Sequence, residues 1–371
     1  MKYWFFAFMF VFMLMLFGYV TLRSWQALQS VGNIKVYFLV ASVALFLSIF
    51  ASMIFGNNMN PIFAKIISFA GFSYMLFVIY MLFAFLLVDI VRIANTIFHF
   101  GPTGLMTFRY YAFLASVFVV FVTMAVGHYK FRNPEIVNLN IQSDKPLQGK
   151  EVKIVAVSDL HFGISIDKAY AKRYVELINT QNPDIVLIAG DFSDRGITPL
   201  IKQNMKEEFM KIKAPLGIYS VMGNHDFYGE NRHIAADYMK ECGINVLRDT
   251  VSLINNEFYI AGRDDLSNSG RKSLFDVLQN TDKTRPIVLL DHQPSHLNDA
   301  VTNNVDLQIS GHTHNGQFFP GSLFVKRIFE HGYGYLKKGK THFYVSSGLG
   351  LWGPQYRIGT QSELVVIKFR Y

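Results

Sequence analysis

Two regimes of hydrophobicity divide the chain. In the first, apolar residues run almost unbroken in blocks of helix length, over residues 3–20, 36–55, 68–90 and 108–127. Each block is close to the roughly 20 residues that a helix needs to cross a bilayer core, and a continuous helix satisfies every backbone group there. The third block opens as early as Ile62, which leaves room for a surface-lying stretch around Ile66 ahead of the span. The first block has only Lys2 before it and no small-residue cleavage site, so it is expected to be a retained span rather than a signal peptide. In the second regime, short apolar runs alternate with amphipathic ones. The runs at 152–157, 185–189, 217–222, 258–262, 287–290, 307–309, 343–346 and 364–369 have the length and bounding residues of strands, and 168–180, 200–212, 232–242 and 271–279 have helical periodicity. The expected organisation is a four-span transmembrane region (1–127), a polar connector with Pro134 and Asn138 to Asn140 (128–149), and an α/β domain (150–371).

Chemistry-bearing residues cluster just past the strand-like runs. They are Asp159 and His161, Gly190 and Asp191, Gly223 to Asp226, Asp291 and His292, and Gly311 to His314. Carboxylate and amide oxygens mixed with imidazole suit Mn, Fe or Zn rather than an all-oxygen Ca²⁺ site. Alternate positions on an extended strand point the same way, so Asp159 and His161 are expected to reach one ion. Asp191 can bridge two ions, since a carboxylate spans the separation of about 3.5–4 Å typical of such pairs. Asn224 adds a neutral oxygen, and its neighbour His225 is left to face the substrate with Asp194 or Asp226 holding its other nitrogen. The charged turn from Gly262 to Asp265 offers Arg263 as a substrate contact, the alternative being an ion-paired loop. The segment after His314, which includes Phe318 and Phe319, borders the site and offers aromatic and basic residues to a lipid surface; the alternative is a core-packed loop and hairpin.

Together Asp159-x-His161, Gly190-Asp191-x-x-Asp194, Gly223-Asn224-His225-Asp226, His292 and Gly311-His312-x-His314 resemble the calcineurin-like metallophosphoesterases, in order and over nearly all of residues 151–369. The chain is similar in particular to their membrane-associated branch, which includes multi-span members and peripheral UDP-2,3-diacylglucosamine pyrophosphatases. The resemblance implies a sandwich of two sheets flanked by helices. It implies one ion held by Asp159, His161, Asp191 and His314, and a second held by Asp191, Asn224, His292 and His312. It also implies His225 as the phosphate contact and general acid. Two positions depart from the branch: Asp291 stands where Ser is usual, and Asn315 where Gly is usual. Neither removes a ligand, but both bear on pocket shape.

Charge refines the picture. The net charge is +8, and residues 1–149 hold nine Lys/Arg against three Asp/Glu while residues 150–371 hold 26 against 24. The basic excess therefore flanks the spans, and no nucleic-acid partner is expected of the near-neutral catalytic half. Mean hydropathy is +0.23. Lys2, Lys65, Lys130, Arg132 and Lys145 fall on one side of the membrane, and Arg23, Lys35, Arg92 and Arg109 on the other. The larger set places both the N-terminus and the catalytic domain in the cytoplasm. Asp89, near a span end, is expected to be wetted at the interface. The single cysteine, Cys242, excludes an internal disulfide. The expected protein is a multi-pass phosphohydrolase with two divalent ions acting on a phosphodiester or pyrophosphate of a lipid-linked substrate. Two other classes compete with it: a tethered phosphoesterase of soluble nucleotides or phosphoproteins, and a scaffold or transport protein with a structural metal site.

Overall fold

The computed structural model describes residues 2–99, 105–145, 149–227 and 232–371. It divides into two compact units, residues 1–127 with 353–355, and residues 128–352 with 356–371. The first holds the long apolar helices α1 (Lys2–Ala27), α2 (Ile34–Phe55), α3 (Pro61–Phe98) and most of α4 (Leu105–Arg132), all long and apolar enough to cross a membrane. The stretch around Ile66 is not a separate surface element, because α3 runs unbroken for 38 residues behind the N-cap of Asn60. Phe17 stacks on Phe46 at 4.5 Å between α1 and α2. A side chain at Gly71 would collide with Ser48 and the Ile49 backbone, so α3 approaches α2 closely there. Val40, Leu47, Ile54, Leu87, Phe118 and Phe121 point outward and are exposed. That inversion of the soluble pattern is the mark of a multi-pass integral membrane protein.

The second unit is a four-layer sandwich. Its strands are β1 (Glu135–Gln142), β2 (Glu151–Val157), β3 (Ile185–Ile188), β4 (Ile218–Ser220), β5 (Asn245–Val246), β6 (Thr250–Ile254), β7 (Phe258–Gly262), β8 (Ile287–Leu290), β9 (Leu307–Ser310), β10 (Gly334–Lys338), β11 (Thr341–Val345) and β12 (Glu363–Arg370). Its helices are α5 (Lys168–Thr180), α6 (Thr198–Lys202), α7 (Lys206–Phe209), α8 (Arg232–Glu241), α9 (Leu274–Leu278), α10 (Leu297–Thr302) and α11 (Gly321–Ile328). One sheet has the order β1-β12-β2-β3-β4-β5 and the other β10-β11-β9-β8-β7-β6. Strand alternation divides the core. Ile154, Ala156 and Leu187 face Val288, Leu290 and Ile309 between the sheets, whereas Val155, Val157 and Ile188 face the helices, as do Ile287 and Leu289 on the far side. Burial of both faces explains why these strands read as continuous apolar runs.

The stretch expected to be a bare connector instead carries secondary structure, apart from residues 146–148, which lie outside the described residues. Here α4 continues to Arg132 and β1 pairs in parallel with β12 from Glu135↔Glu363 to Gln142↔Arg370. Val137, Leu139 and Ile141 alternate with polar neighbours, the signature of a half-buried edge strand, which the two asparagines mask because Asn is depleted in strands. The helix expected over 200–212 is broken into α6 and α7, with Asn204 in the left-handed region between them. The helix expected at 271–279 is confined to α9, capped by the Ser273 side chain.

Candidate metal centre

Loops at the carboxyl ends of β2, β3 and β4 from one sheet, and of β8 and β9 from the other, bring the expected residues to one place. Side chains converge there for a different reason from the one expected for Asp159 and His161. Their backbones are not extended; Asp159 (φ 52), His161 (φ 47), Asp191 (φ 52), His312 (φ 70) and His314 (φ 49) all lie in the left-handed region. Conformations that cost L-residues energy persist where surrounding contacts impose them, and they concentrate at functional sites. The contacts are visible here: His161 N donates to Asp191 O at 3.0 Å, and His312 N donates to both Asp159 oxygens at 3.0 and 3.1 Å. Gly190 (φ 86) is required as well, since a Cβ there would strike the His292 ring.

Two groups of ligand atoms result. In the first, His161 Nε2 and His314 Nε2 lie 3.1 Å apart, with Asp159 Oδ1 3.3 Å from His314 Nε2 and Asp191 Oδ2 3.6 Å from His161 Nε2. In the second, Asn224 Oδ1 lies 2.7 Å from His312 Nδ1 and 3.1 Å from His292 Nε2, which is itself 3.3 Å from Asp191 Oδ2. Asp191 Oδ2 thus borders both groups, while its Oδ1 accepts the His225 amide at 2.8 Å. His292 donates Nδ1–H to Ala189 O at 2.8 Å, which turns the Nε2 lone pair inward.

The electrostatics fit a pair of cations. Burial drives the pKa of His161 and of His312 down to about 4, and that of His314 well below the usual imidazole range. Neutral imidazoles with inward lone pairs are the ligand form. His161 and His314 aim their buried Nε2 atoms at one another at 3.1 Å, and in neutral rings two lone pairs facing at that distance are relieved by a cation at the convergence point. Asp159 is pushed up to about 6 by burial. Burial would raise Asp191 as well, but the charge and hydrogen bond of His292 outweigh it and hold Asp191 below the ordinary carboxylate range; the same pairing raises His292 well above the usual imidazole range, so His292 must give up a proton to become a ligand. The donor set is therefore suited to two divalent ions, and the site is a plausible dinuclear metal centre.

His225 stands beside these groups. It forms one of the potential ligand triads with His161 and Asp191, and its ring meets His161 edge-on at 4.6 Å. Its Nδ1 is held by Asp194, at 2.8 Å from the backbone oxygen and 3.4 Å from Oδ1. Burial lowers its pKa, but the hydrogen bond to Asp194 and the charges of Asp191 and Asp194 outweigh that and carry it up to about 9. Asp226 does not hold His225. Its carboxylate accepts from the amides of Phe192, Ser193 and Gly223 and from Ser193 Oγ, so it clasps the two loops that carry Asp191 and Asn224.

Arg263 sits in an ion-paired loop. It is buried, with Nη1 at 3.4 Å from Asp291 and 3.3 Å from Asp299 and Nη2 on Lys272 O, and Arg271 joins Asp291 from the other side. Asp291, where the branch usually has Ser, is thus the anchor for two guanidiniums behind His292. Phe318 is half-buried against Ile358, while Phe319 is 49 % exposed. The segment that follows is neither a plain loop nor wholly core-packed, because it forms α11 with Leu323, Phe324 and Ile328 exposed. Two residues escaped sequence reasoning. Trp352 lies 6.5 Å from His225. Arg357, fully buried, donates to His314 O at 3.0 Å and to Gly348 O and Gly350 O, locking the turn after the last histidine. The signal for Arg357 was an arginine inside an otherwise apolar and glycine-rich closing segment.

Comparison with known proteins agrees with this geometry. Residues 152–316 match the family model for calcineurin-like phosphoesterases. An uncharacterized metallophosphoesterase of Aquifex aeolicus is 31 % identical over 263 residues, covering 68 % of this chain and 98 % of that one. A putative metallophosphoesterase of Caenorhabditis elegans is 29 % identical over 351 residues, 87 % of this chain and 71 % of its own. A transmembrane protein with metallophosphoesterase domain from Danio rerio is 28 % identical over 277 residues, 69 % of this chain and 63 % of its own. With its ligand clusters, its four membrane-length helices and these relatives, the chain belongs to the calcineurin-like phosphoesterase family, as a membrane-bound, metal-dependent phosphoesterase.

Proposed function

We propose that the protein hydrolyses a phosphodiester or pyrophosphate bond in a lipid-linked substrate, a phospholipid or a nucleotide-linked acyl sugar of the UDP-2,3-diacylglucosamine kind. Asp159, His161, Asp191 and His314 would hold one divalent ion, and Asp191, Asn224, His292 and His312 the other, with Mn, Fe and Zn the metals suited to this donor set. Such a pair supplies Lewis-acid charge to the phosphoryl oxygens and an activated water. The chain's own part falls to His225. It is a partly exposed imidazole beside the cluster, its Nδ1 is fixed on Asp194, and its raised pKa keeps the ring protonated near neutrality. It can therefore donate to the phosphate and stabilise charge on the departing oxygen. Asp226 and Arg357 act one step back, by holding the loops.

The observation that carries the lipid reading is the surface around the histidines. The Phe329 ring lies 6.1 Å from His312 and that of Trp352 6.5 Å from His225. Next to Phe329, α11 exposes Leu323, Phe324 and Ile328 alongside Lys326 and Arg327, with Phe319 just before it. Aromatic and basic residues together suit the boundary between acyl chains and anionic headgroups. Replacing Phe319 and Phe324 by Ser is expected to lower turnover of a diacylated phospho-substrate in mixed micelles about tenfold or more, through loss of buried apolar area, with little change toward a soluble aryl phosphodiester. Equal losses on both substrates, with metal content intact, would remove the lipid reading and leave a tethered phosphoesterase of soluble nucleotides or phosphoproteins.

A further inference from the structure

The spanning helices carry few charges, and the structure gathers four of them into one cluster remote in sequence from every residue of the metal centre. Arg23 lies near the end of α1, Asp89 and Arg92 in the last third of α3, and Arg109 near the start of α4. Asp89 is the common partner. It is paired with Arg23, takes Arg92 Nη1 at 3.1 Å on the same oxygen, and accepts the Tyr19 hydroxyl at 2.9 Å on the other. This acid, expected to be wetted at the interface, keeps 27 % of its side chain exposed and also joins α1 to α3. Arg109 lies within electrostatic reach of both Arg23 and Arg92 and forms no ion pair of its own among the described residues. Two positive charges therefore share one negative charge, and a third lies near them without a counter-charge among the described residues.

The arginines also have donors left over. Nε of Arg92 and Nε of Arg109 are buried and have no acceptor among the described residues. A guanidinium N–H shut away from water calls for an oxygen acceptor, and a phosphate, with several anionic oxygens, matches the planar fork of arginine. The cluster's aromatic neighbours indicate its depth. Arg23 lies over the Tyr19 ring, Lys35 over the Trp25 ring at 5.3 Å, and Tyr110 and Tyr111 follow Arg109 directly. Tyr and Trp collect where acyl chains meet headgroups, which is the level of lipid phosphates.

We propose that Arg23, Arg92 and Arg109 form a binding site for the phosphate of an anionic membrane lipid, in which Asp89 competes with the lipid for two of the guanidiniums. The proposal is independent of what the catalytic domain hydrolyses. Inorganic phosphate shares the chemistry, but the depth of the cluster selects the bilayer's own headgroups.

The test uses the full-length protein in nanodiscs of pure phosphatidylcholine or of an equal mixture with phosphatidylglycerol, with retained lipids counted by native mass spectrometry. The wild type is expected to enrich phosphatidylglycerol. Arg109→Gln breaks no ion pair seen here and is expected to reduce that enrichment about fivefold, the increment of one basic residue near an anionic surface. Arg109→Lys should keep most of it, and Asp89→Asn should keep or raise it, because a competing negative charge is gone. Helicity and hydrolysis of a soluble aryl phosphodiester should be unchanged in Arg109→Gln, and Arg92→Gln serves as a second variant read in the same way. Wild-type enrichment in Arg109→Gln, or a loss confined to Asp89→Asn, would overturn the site in favour of a plain ion-pair junction. Displacement of the lipid by inorganic phosphate would overturn the lipid as its occupant.

Discussion

Asp191 is the residue on which both halves of the metal centre depend, because a single oxygen lies against His161 and His292 at 3.6 and 3.3 Å. Asp191→Asn is expected to reduce bound metal below two ions per chain, measured by elemental analysis. It should cost more activity than His225→Ala, for which a loss of about 10²–10⁴-fold is expected with metal retained. Undiminished hydrolysis in excess chelator, with the metal shown to be gone, would refute the metal-dependent chemistry. Arg263 makes the opposite kind of prediction. Its buried pair with Asp291, beside a half-exposed one with Asp299, leads us to expect that Arg263→Ala lowers stability by about 2 kcal/mol, the scale of a charged hydrogen bond, because Arg271 still accompanies Asp291. Urea unfolding tests this, and a variant with unchanged stability but a raised KM would restore a substrate-reading role. That the residues of the metal centre gather in one place was legible because Asp, His and Asn recur just past apolar runs. The left-handed backbones that aim them were not, nor was the choice between Asp194 and Asp226. That choice is made by loops more than 30 residues apart, where Asp226 finds four donors already waiting.

At the scale of elements, the eight strands read from the sequence are those buried on both faces, where the hydrophobic pattern leaves no ambiguity. The strands that went unread, β1, β5, β6 and β10, are short or half-exposed; β1 and β5 also take their register from β12 and β4, which do not adjoin them in sequence. The helix α11 was hidden for a related reason: with two Phe and a Pro ahead of it and an exposed apolar face, its sequence resembles a loop more than a surface helix of a soluble protein. The end of α8 offers a probe of this unit. Cys242, the only cysteine, follows α8 directly and is fully buried in the core between helices and sheet, where desolvation pushes its thiol up to about 11 from 9.0. A raised folded pKa means less thiolate at any pH below it. Alkylation at mildly alkaline pH is therefore expected to run about a hundredfold slower in the native protein than in urea. Equal rates in the two states would show that this part of the core opens readily.

For the whole molecule, the even number of spans puts the N-terminus and the catalytic domain on one side, and the slightly larger basic set proposes that side as cytoplasmic. A cysteine introduced at Lys145 in a Cys242→Ala background is expected to react with an impermeant reagent only after the membrane is opened; labelling in intact cells would reverse the orientation and exclude cytoplasmic nucleotide-linked lipids as substrates. The strand β1 begins two residues after the last span, yet its partner is β12, which inserts between β1 and β2 and pairs Glu135 with Glu363. During synthesis β1 leaves the ribosome on the order of ten seconds or more before the strand it needs exists. Every proposed metal ligand, up to His314, is made before that strand. A nascent chain arrested short of β12 therefore carries a full set of ligands on an unfinished sheet, with β1 waiting unpaired beside the membrane.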